Sequence, residues 1–210
     1  MQPAWLYPAD ISPAGKELIL LLHGYGSNEA DLFALRSYLP ERFFPVALRG
    51  YYAAPFGGYS WFDIDIFDDG FRADENQMMD SVRRLLDDTR RIQAAFGFSG
   101  RTHLLGFSQG SILSYLLMTY APDLYRLIVA FSGFIYEPLM APVDEEEVSM
   151  LRVFASHGIY DDVIPVEWAR KIPAYLRERH IYAEYKEYPA GHYLTEENIR
   201  DAMDFLRRNG

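Results

Sequence analysis

A serine flanked by glycines at both second neighbours is the clearest chemical signal in the sequence. The segment Gly106-Phe107-Ser108-Gln109-Gly110 follows a short apolar run, 102–105, and precedes an apolar helical segment over 111–120. In a sharp turn from strand to helix, side chains at the two glycine positions would collide, and glycine leaves the serine hydroxyl projecting from the sheet. The pattern predicts that Ser108 is a nucleophile.

A serine hydroxyl needs a base that is itself oriented by a carboxylate, and in this arrangement the chain order is serine, acid, histidine. Three histidines follow Ser108. His157 ends a predicted strand, where we expect it to pack structurally, and His180 ends a predicted helix, where an imidazole suits the helix dipole. His192 lies in the loop after the last predicted strand, at the sheet edge where functional groups gather. We therefore predict His192 as the base.

The acid is expected in the loop after the preceding strand, over residues 157–165. Asp161 and Asp162 both lie there, and spacing alone does not choose between them. Either carboxylate could instead cap the helix that begins around Pro165, which is common chemistry for aspartate. We expect one of the two to be the cap and the other to orient the base.

A developing negative charge on the substrate needs two backbone N–H donors. The N–H of Gln109, directly after the serine, is one candidate, and the N–H of Tyr25 in the loop 23–28 is the other. That loop is not a dinucleotide fingerprint, because Glu29 stands where the third glycine would be required. The sequence also lacks an H-E-x-x-H motif, so we expect neither a metal nor a cofactor.

The elements that must position these residues alternate along the chain, which predicts the α/β fold class. Apolar runs predict strands over 18–22, 46–48, 102–105, 127–131, 152–155 and 183–188. Helical periodicity predicts a long helix over 75–95, a last helix from about Thr195, and a kink or two short helices around Pro173. The interpretation is one domain, 1–210, with a mostly parallel, doubly wound sheet.

Composition excludes several classes of function. The 210 residues are 50% hydrophobic, carry a net charge of −10 and include no cysteine. The acidic balance disfavours nucleic acid and anionic membrane surfaces, and the absence of cysteine excludes disulfides and a thiol nucleophile. No apolar stretch approaches the roughly 20 residues of a membrane-spanning helix, and the segment after Met1 lacks the features of a secretory signal. We expect a cytoplasmic protein without membrane insertion.

Five blocks of this sequence together resemble the carboxylesterase/phospholipase family of α/β-hydrolases, which includes acyl-protein thioesterases and bacterial serine esterases. The blocks are Leu22-His23-Gly24-Tyr25-Gly26, Trp61-Phe62-Asp63-Ile64, Gly106 to Gly110, the H-G-x-x-D-x-V-I-P segment from His157 to Pro165, and Gly191-His192. The resemblance implies an α/β-hydrolase fold without a substantial lid domain and no cofactor. It also implies that Asp161 is the acid and that Tyr25 and Gln109 donate the oxyanion hydrogen bonds.

The resemblance implies a serine hydrolase that cleaves carboxylic esters of small or short-to-medium acyl groups through an acyl-enzyme intermediate. Alternatives are acyl-protein thioesterase or lysophospholipase activity, and a non-catalytic binding module on the same fold. The expected partner is a small-molecule ester. The sequence does not determine the oligomeric state, and a homodimer is one alternative.

An aromatic-rich segment, 51–62, offers candidates for substrate binding. Tyr59, Trp61 and Phe62 are expected to line an acyl or aryl pocket, with core packing as the alternative. The acidic residues that follow (Asp63, Asp65, Asp68 and Asp69) predict an electronegative mouth that disfavours strongly anionic substrates. Only residues 132–151 separate two predicted strands, which leaves little room for a lid and predicts an open cleft.

Overall fold

The computed structural model describes residues 5–67 and 70–209. In chain order the strands are β1 (Trp5–Leu6), β2 (Glu17–Leu22), β3 (Phe43–Leu48), β4 (Tyr52–Ala53), β5 (Tyr59–Ser60), β6 (Ile64–Phe67), β7 (Gly70–Ala73), β8 (Thr102–Phe107), β9 (Tyr125–Phe131), β10 (Arg152–Gly158) and β11 (Tyr182–Tyr188). The helices are α1 (Glu29–Phe33), α2 (Glu75–Phe96), α3 (Gln109–Tyr120), α4 (Glu145–Val148), α5 (Val166–Ala169), α6 (Ile172–Glu178) and α7 (Glu196–Arg208).

Seven strands form one sheet in the order β1-β3-β2-β8-β9-β10-β11. All neighbours are parallel except the short edge pair β1 and β3, and the pairs β4–β5 and β6–β7 form separate two-stranded ribbons. All six predicted strands are confirmed, and each is longer than predicted. The additions to β10 are Ser156, His157 and Gly158, whose polar character ended the apolar pattern although the strand pairing continues through them.

Alternate residues of the central strands face two separate cores, which is why their runs are apolar on both faces. Leu18, Leu20 and Leu22 of β2 pack in one core with side chains of α2, α3 and α6. Ile19 and Leu21 pack in the other core with side chains of α1 and α7. The sheet is therefore covered by helices on both faces, as predicted. Burying each of these side chains contributes about 2 kcal/mol to folding.

The helix ends follow from local capping chemistry. The predicted helix 75–95 is α2, which begins after Asp74, whose carboxylate accepts from the Gln77 N–H, and ends at Gly97 with φ +75°. The last predicted helix is α7, which begins after Thr195, whose hydroxyl accepts from the Asn198 N–H. Pro173 lies in the first turn of α6, and α5 precedes it as a separate short helix, so the prediction of two short helices is confirmed.

The segment between β9 and β10 contains a turn of 3-10 helix, Glu137–Leu139, and the single-turn helix α4. It forms no large lid, in agreement with the prediction of an open cleft. No helix within the described ranges 5–67 and 70–209 has the length and apolar character needed to cross a membrane.

The first turn of α3 packs against the sheet with no room for a side chain. A Cβ atom added to Gly110 would lie 1.9 Å from the carbonyl oxygen of Leu22, at the end of β2. A Cβ atom added to Gly106 would lie 2.4 Å from the carbonyl oxygen of Gly110. The expected collision thus occurs at both glycines, but at Gly110 the obstacle is the neighbouring strand rather than the residue two positions before the serine.

We expect Gly110→Ala to lower the free energy of unfolding by about 3 kcal/mol, because the new methyl group must push α3 away from β2. Gly100→Ala is the matched control, since a Cβ atom there meets nothing within 4 Å. That change should stay within about 0.5 kcal/mol of the wild type. Denaturant unfolding measures both. Equal stability of the two variants would contradict the close approach of α3 to β2.

Candidate active site

The sharp turn after β8 holds Ser108 in an unusual backbone conformation. Its φ is +54° with ψ −114°, a region that non-glycine residues rarely adopt and that costs about 1–3 kcal/mol. Its N–H donates to the carbonyl of Phe131 on β9 over 2.9 Å, and the single hydrogen of the Ser111 hydroxyl is shared between the carbonyls of Gly106 (2.8 Å) and Phe131 (2.7 Å). These hydrogen bonds tie the turn to two neighbouring strands and fix the direction of the Ser108 side chain.

A continuous chain of hydrogen bonds joins Ser108, His192 and Asp161. The Ser108 Oγ lies 3.0 Å from His192 Nε2, and His192 Nδ1 lies 2.7 Å from Asp161 Oδ2. Because a carboxylate accepts hydrogen bonds, Nδ1 carries the hydrogen of the neutral imidazole, and Nε2 accepts from the serine hydroxyl. This arrangement can remove a proton from Ser108 and return it to a leaving group.

Asp161 lies in a turn whose backbone N–H groups donate hydrogen bonds to its carboxylate. Its Oδ1 accepts from the N–H groups of Val163 (2.9 Å) and Ile164 (2.8 Å). Burial by itself would raise the pKa of the Asp161 carboxyl, but hydrogen bonds from His157, His192 and the Ile164 N–H hold that pKa well below its usual range. The carboxylate therefore stays ionised beside His192.

Asp162, the other candidate acid, is exposed to solvent and does not cap the following helix. The N-cap position of α5 is occupied by Pro165, and no side chain caps it. The expectation that one aspartate caps this helix is therefore wrong. The turn N–H groups that needed an acceptor are those of residues 163 and 164, and Asp161 receives both while also binding His192.

The two other histidines after Ser108 differ sharply in their surroundings. His180 is exposed at the end of α6 and pairs with Glu145 over 2.9 Å. His157 is completely buried, as the expectation of structural packing requires, but its Nε2 also lies 3.2 Å from Asp161 Oδ2. Sequence reasoning missed this contact. The only signal was its position four residues before the aspartate in a tight loop.

The N–H groups of Tyr25 and Gln109 donate to no acceptor among the described residues. The loop that carries Tyr25 is held by the first residue of β5, since the Gly26 N–H donates to the carbonyl of Tyr59 (2.9 Å) and the Tyr59 N–H donates to the carbonyl of Ser27 (2.7 Å). The two free N–H groups are thus carried by anchored backbone, as preorganised oxyanion donors require.

Trp61 links the segments that carry these two N–H groups. Its indole N–H donates to the carbonyl of His23 over 2.8 Å, and its backbone N–H donates to the side-chain oxygen of Gln109 over 3.1 Å. The Gln109 side-chain amide in turn donates to the carbonyl of Phe62 over 2.7 Å. The side chain of Gln109 is thereby occupied with structural hydrogen bonds.

The expectation that Tyr59, Trp61 and Phe62 line a substrate pocket needs correction. Trp61 and Phe62 have no exposed surface, because they pack in the core between the sheet and α2. The Tyr59 ring lies under the guanidinium of Arg49, 4.6 Å from it, and its hydroxyl accepts from the same side chain. None of the three is among the residues that line the cavity beside Ser108.

A cavity of about 520 Å³ opens beside Ser108 and His192. Apolar atoms form most of the wall surface, and the apolar side chains that contribute to it are Phe56, Ile64, Phe107, Ile112, Val163 and Ile164. The Phe107 ring also packs against the His192 ring, with centroids 5.0 Å apart. A larger and more open groove, of about 720 Å³, lies beside α4 and α6, but Ser108 is not part of it.

Asp31 and Asp63 differ in their position relative to the cavity. Asp31 lines the cavity and accepts a hydrogen bond from the Ser27 hydroxyl over 2.8 Å. Asp63 accepts from the side-chain amide of Gln77 and does not line the cavity. Asp68, Asp69 and the side chain of Asp65 lie outside the described residues, so the predicted acidic mouth remains a prediction for them.

Comparison with known proteins places this geometry in a family. Residues 10–209 match the phospholipase/carboxylesterase family. A putative hydrolase of Bacillus subtilis, MhqD, is 25% identical over 194 residues, which cover 90% of this chain and 92% of that protein. The crystal structure of esterase PE8 superposes with a TM-score of 0.84 at 27% identity and full coverage of both chains. A Bacillus cereus carboxylesterase gives a TM-score of 0.87 over 100% of this chain and 95% of its own, at 18% identity, which shows the shared fold.

The matched region includes nearly the whole chain, from before β2 to the end of α7, and therefore every residue of the hydrogen-bonded chain. The parallel sheet order, the sharp turn at Ser108 and the family match agree with one another. The chain belongs to the phospholipase/carboxylesterase family of α/β-hydrolases and is a carboxylic ester hydrolase.

Proposed function

We propose that this chain is a serine esterase that cleaves neutral carboxylic esters of small or short-to-medium acyl groups through an acyl-enzyme intermediate. Ser108 is the nucleophile, His192 the general base and Asp161 the orienting acid. The observation that carries the proposal is the unbroken chain of hydrogen bonds from Ser108 Oγ through His192 to Asp161 Oδ2. Ser108 and His192 line an apolar cavity that can hold the substrate.

In the acylation step, the Ser108 oxygen attacks the ester carbonyl carbon while His192 Nε2 takes the hydroxyl proton. The carbonyl oxygen becomes negative and accepts hydrogen bonds from the N–H groups of Tyr25 and Gln109. The negative charge of Asp161 stabilises the imidazolium that forms. When the intermediate collapses, the bond to the alcohol oxygen breaks, and His192 gives its proton to the departing alcohol.

In the deacylation step, a water molecule replaces the alcohol. His192 Nε2 takes one proton of the water as its oxygen attacks the acyl carbon, and the same two N–H groups stabilise the second tetrahedral intermediate. The bond to Ser108 then breaks, the serine regains a proton from His192, and the carboxylic acid leaves. The protein returns to its starting state without a cofactor.

The size and chemistry of the cavity support the substrate class. A volume of about 520 Å³ lies within the usual range of cavities that bind small molecules. The wall is apolar, and its acidic member, Asp31, disfavours an anionic group at the mouth. The net charge of −10 acts in the same direction at longer range.

The two neighbouring aspartates give the sharpest test of the acid. We expect Asp161→Asn to lower kcat roughly 10⁴-fold, because an amide cannot stabilise the imidazolium of His192 and favours the wrong tautomer. Asp162→Asn should change kcat less than about twofold, since Asp162 is exposed and outside the hydrogen-bonded chain. Steady-state hydrolysis of a short-chain aryl ester measures both variants. Equal losses at the two positions would contradict the assignment of Asp161.

Phe56 provides a test of the substrate class. Its side chain is fully exposed although it lines the cavity, so a longer acyl or alkyl group can cover it. We expect Phe56→Ala to lower kcat/KM for a hexanoate ester about fivefold, because partial burial of a phenyl ring is worth about 1 kcal/mol, and to leave the matching acetate ester unchanged.

Tyr160→Ala is the matched control for Phe56→Ala. Tyr160 is another exposed aromatic residue of the loops at this end of the sheet, 69% exposed, but it is not part of the cavity wall. Its substitution should leave the ratio of hexanoate to acetate turnover unchanged. Equal effects of the two substitutions on that ratio would contradict the proposed contact between Phe56 and the longer acyl group.

A further inference from the structure

His157 places a second imidazole on the carboxylate of Asp161. His157 lies near the end of β10 and has no exposed surface. Its Nε2 is 2.8 Å from the carbonyl oxygen of Ile164 and 3.2 Å from Asp161 Oδ2. Both neighbours are acceptors, so Nε2 carries the hydrogen and shares it between them.

The other ring nitrogen of His157 has no hydrogen-bond partner among the described residues. An unpaired polar atom in the core is destabilising, and an apolar side chain of similar size would avoid that cost. The position therefore gains from an imidazole only through its Nε2–H. The Ile164 N–H already ties this turn to Asp161. The Nε2–H of His157 contacts the same two residues, at the Ile164 carbonyl and at Asp161 Oδ2.

We propose that His157 is a positioning residue for the esterase reaction, whose Nε2–H holds Oδ2 of Asp161 in the orientation that His192 requires. The inference rests on the proposed function of the Ser108–His192–Asp161 chain. It assigns a catalytic contribution to a buried histidine that touches neither substrate nor the reacting serine.

Four N–H donors then fix the carboxylate of Asp161. The backbone N–H groups of Val163 and Ile164 hold Oδ1, and the two imidazoles hold Oδ2. A rotation of the carboxylate about its Cβ–Cγ bond would break hydrogen bonds at both oxygens together. Without His157, His192 would be the only side chain that restrains Oδ2 among the described residues.

One further charged side chain beside His157, that of Glu187, is already paired. Glu187 on β11 lies beside His157 in the strand register and receives two hydrogen bonds from Arg170, each 2.8 Å long. The hydroxyl of Tyr185 also donates to Glu187. Glu187 therefore has donors of its own, and His157 remains a buried side-chain donor to Asp161.

Loss of the His157 donor has an effect of definite sign. Negative charge that Nε2–H had partly neutralised would return to Oδ2, which faces His192 Nδ1. The imidazolium of His192 would then form more readily. The acid limb of the kcat/KM profile should move to higher pH, while the less restrained carboxylate lowers kcat.

The test compares His157→Leu with His157→Gln, whose side-chain amide can place a donor where Nε2 stands. For His157→Leu we expect kcat to fall about tenfold with KM changed less than twofold, and the acid limb to rise by about half a pH unit. His157→Gln should recover most of kcat and the wild-type limb. His180→Asn is the control histidine, since His180 is exposed and paired with Glu145, and its profile should match the wild type.

A folded His157→Leu variant with the kcat and pH profile of the wild type would overturn the proposal, because a merely structural histidine would change stability alone. If that variant does not fold, ¹⁵N NMR of the wild-type histidines decides. The proposal requires the neutral Nε2–H form of His157 throughout the active pH range, and an Nδ1–H form would overturn it. Ester turnover by the wild type tests the proposed function separately from the tautomer.

Discussion

The contact between the first turn of α3 and the last carbonyl of β2 determines the geometry of the site. Gly110 approaches Leu22 so closely that no side chain fits, and this approach forces the chain to reverse at Ser108 with φ +54°. The cost of that conformation is offset by two fully covered faces of a parallel sheet, which hold α3 and the neighbouring strands in place. The strained conformation of Ser108 therefore depends directly on the packing of the core.

The site also requires that the carboxylate of Asp161 stay ionised although it is buried and the chain already carries a net charge of −10. An ionised carboxylate next to an apolar cavity is costly unless donors surround it. The turn after β10 supplies two backbone N–H groups to Asp161, and two histidines supply the rest. The same donors that make burial tolerable also fix the carboxylate in position, so electrostatic stability and orientation have one structural origin.

Much of the architecture was predictable because each signal was local. The glycines around Ser108 and the order of serine, aspartate and histidine depend on short stretches of sequence, and the alternation of strands and helices defines the fold. Asp161 and Asp162 could not be separated by spacing, because the direction of a side chain within a loop depends on which turn N–H groups need an acceptor. Aromatic residues such as Trp61 look alike whether they line a pocket or pack beneath it.

Labelling with a fluorophosphonate, followed by intact-mass measurement, tests the central claim most directly. The reagent reacts with a serine only when a base activates its oxygen, and it needs no knowledge of the natural ester. The account predicts one adduct on the wild type and none on a folded Ser108→Ala variant. A folded wild type without an adduct would contradict the role of Ser108 and favour a binding module on the same fold. An adduct that persists in the variant would show that a different residue is the reactive nucleophile.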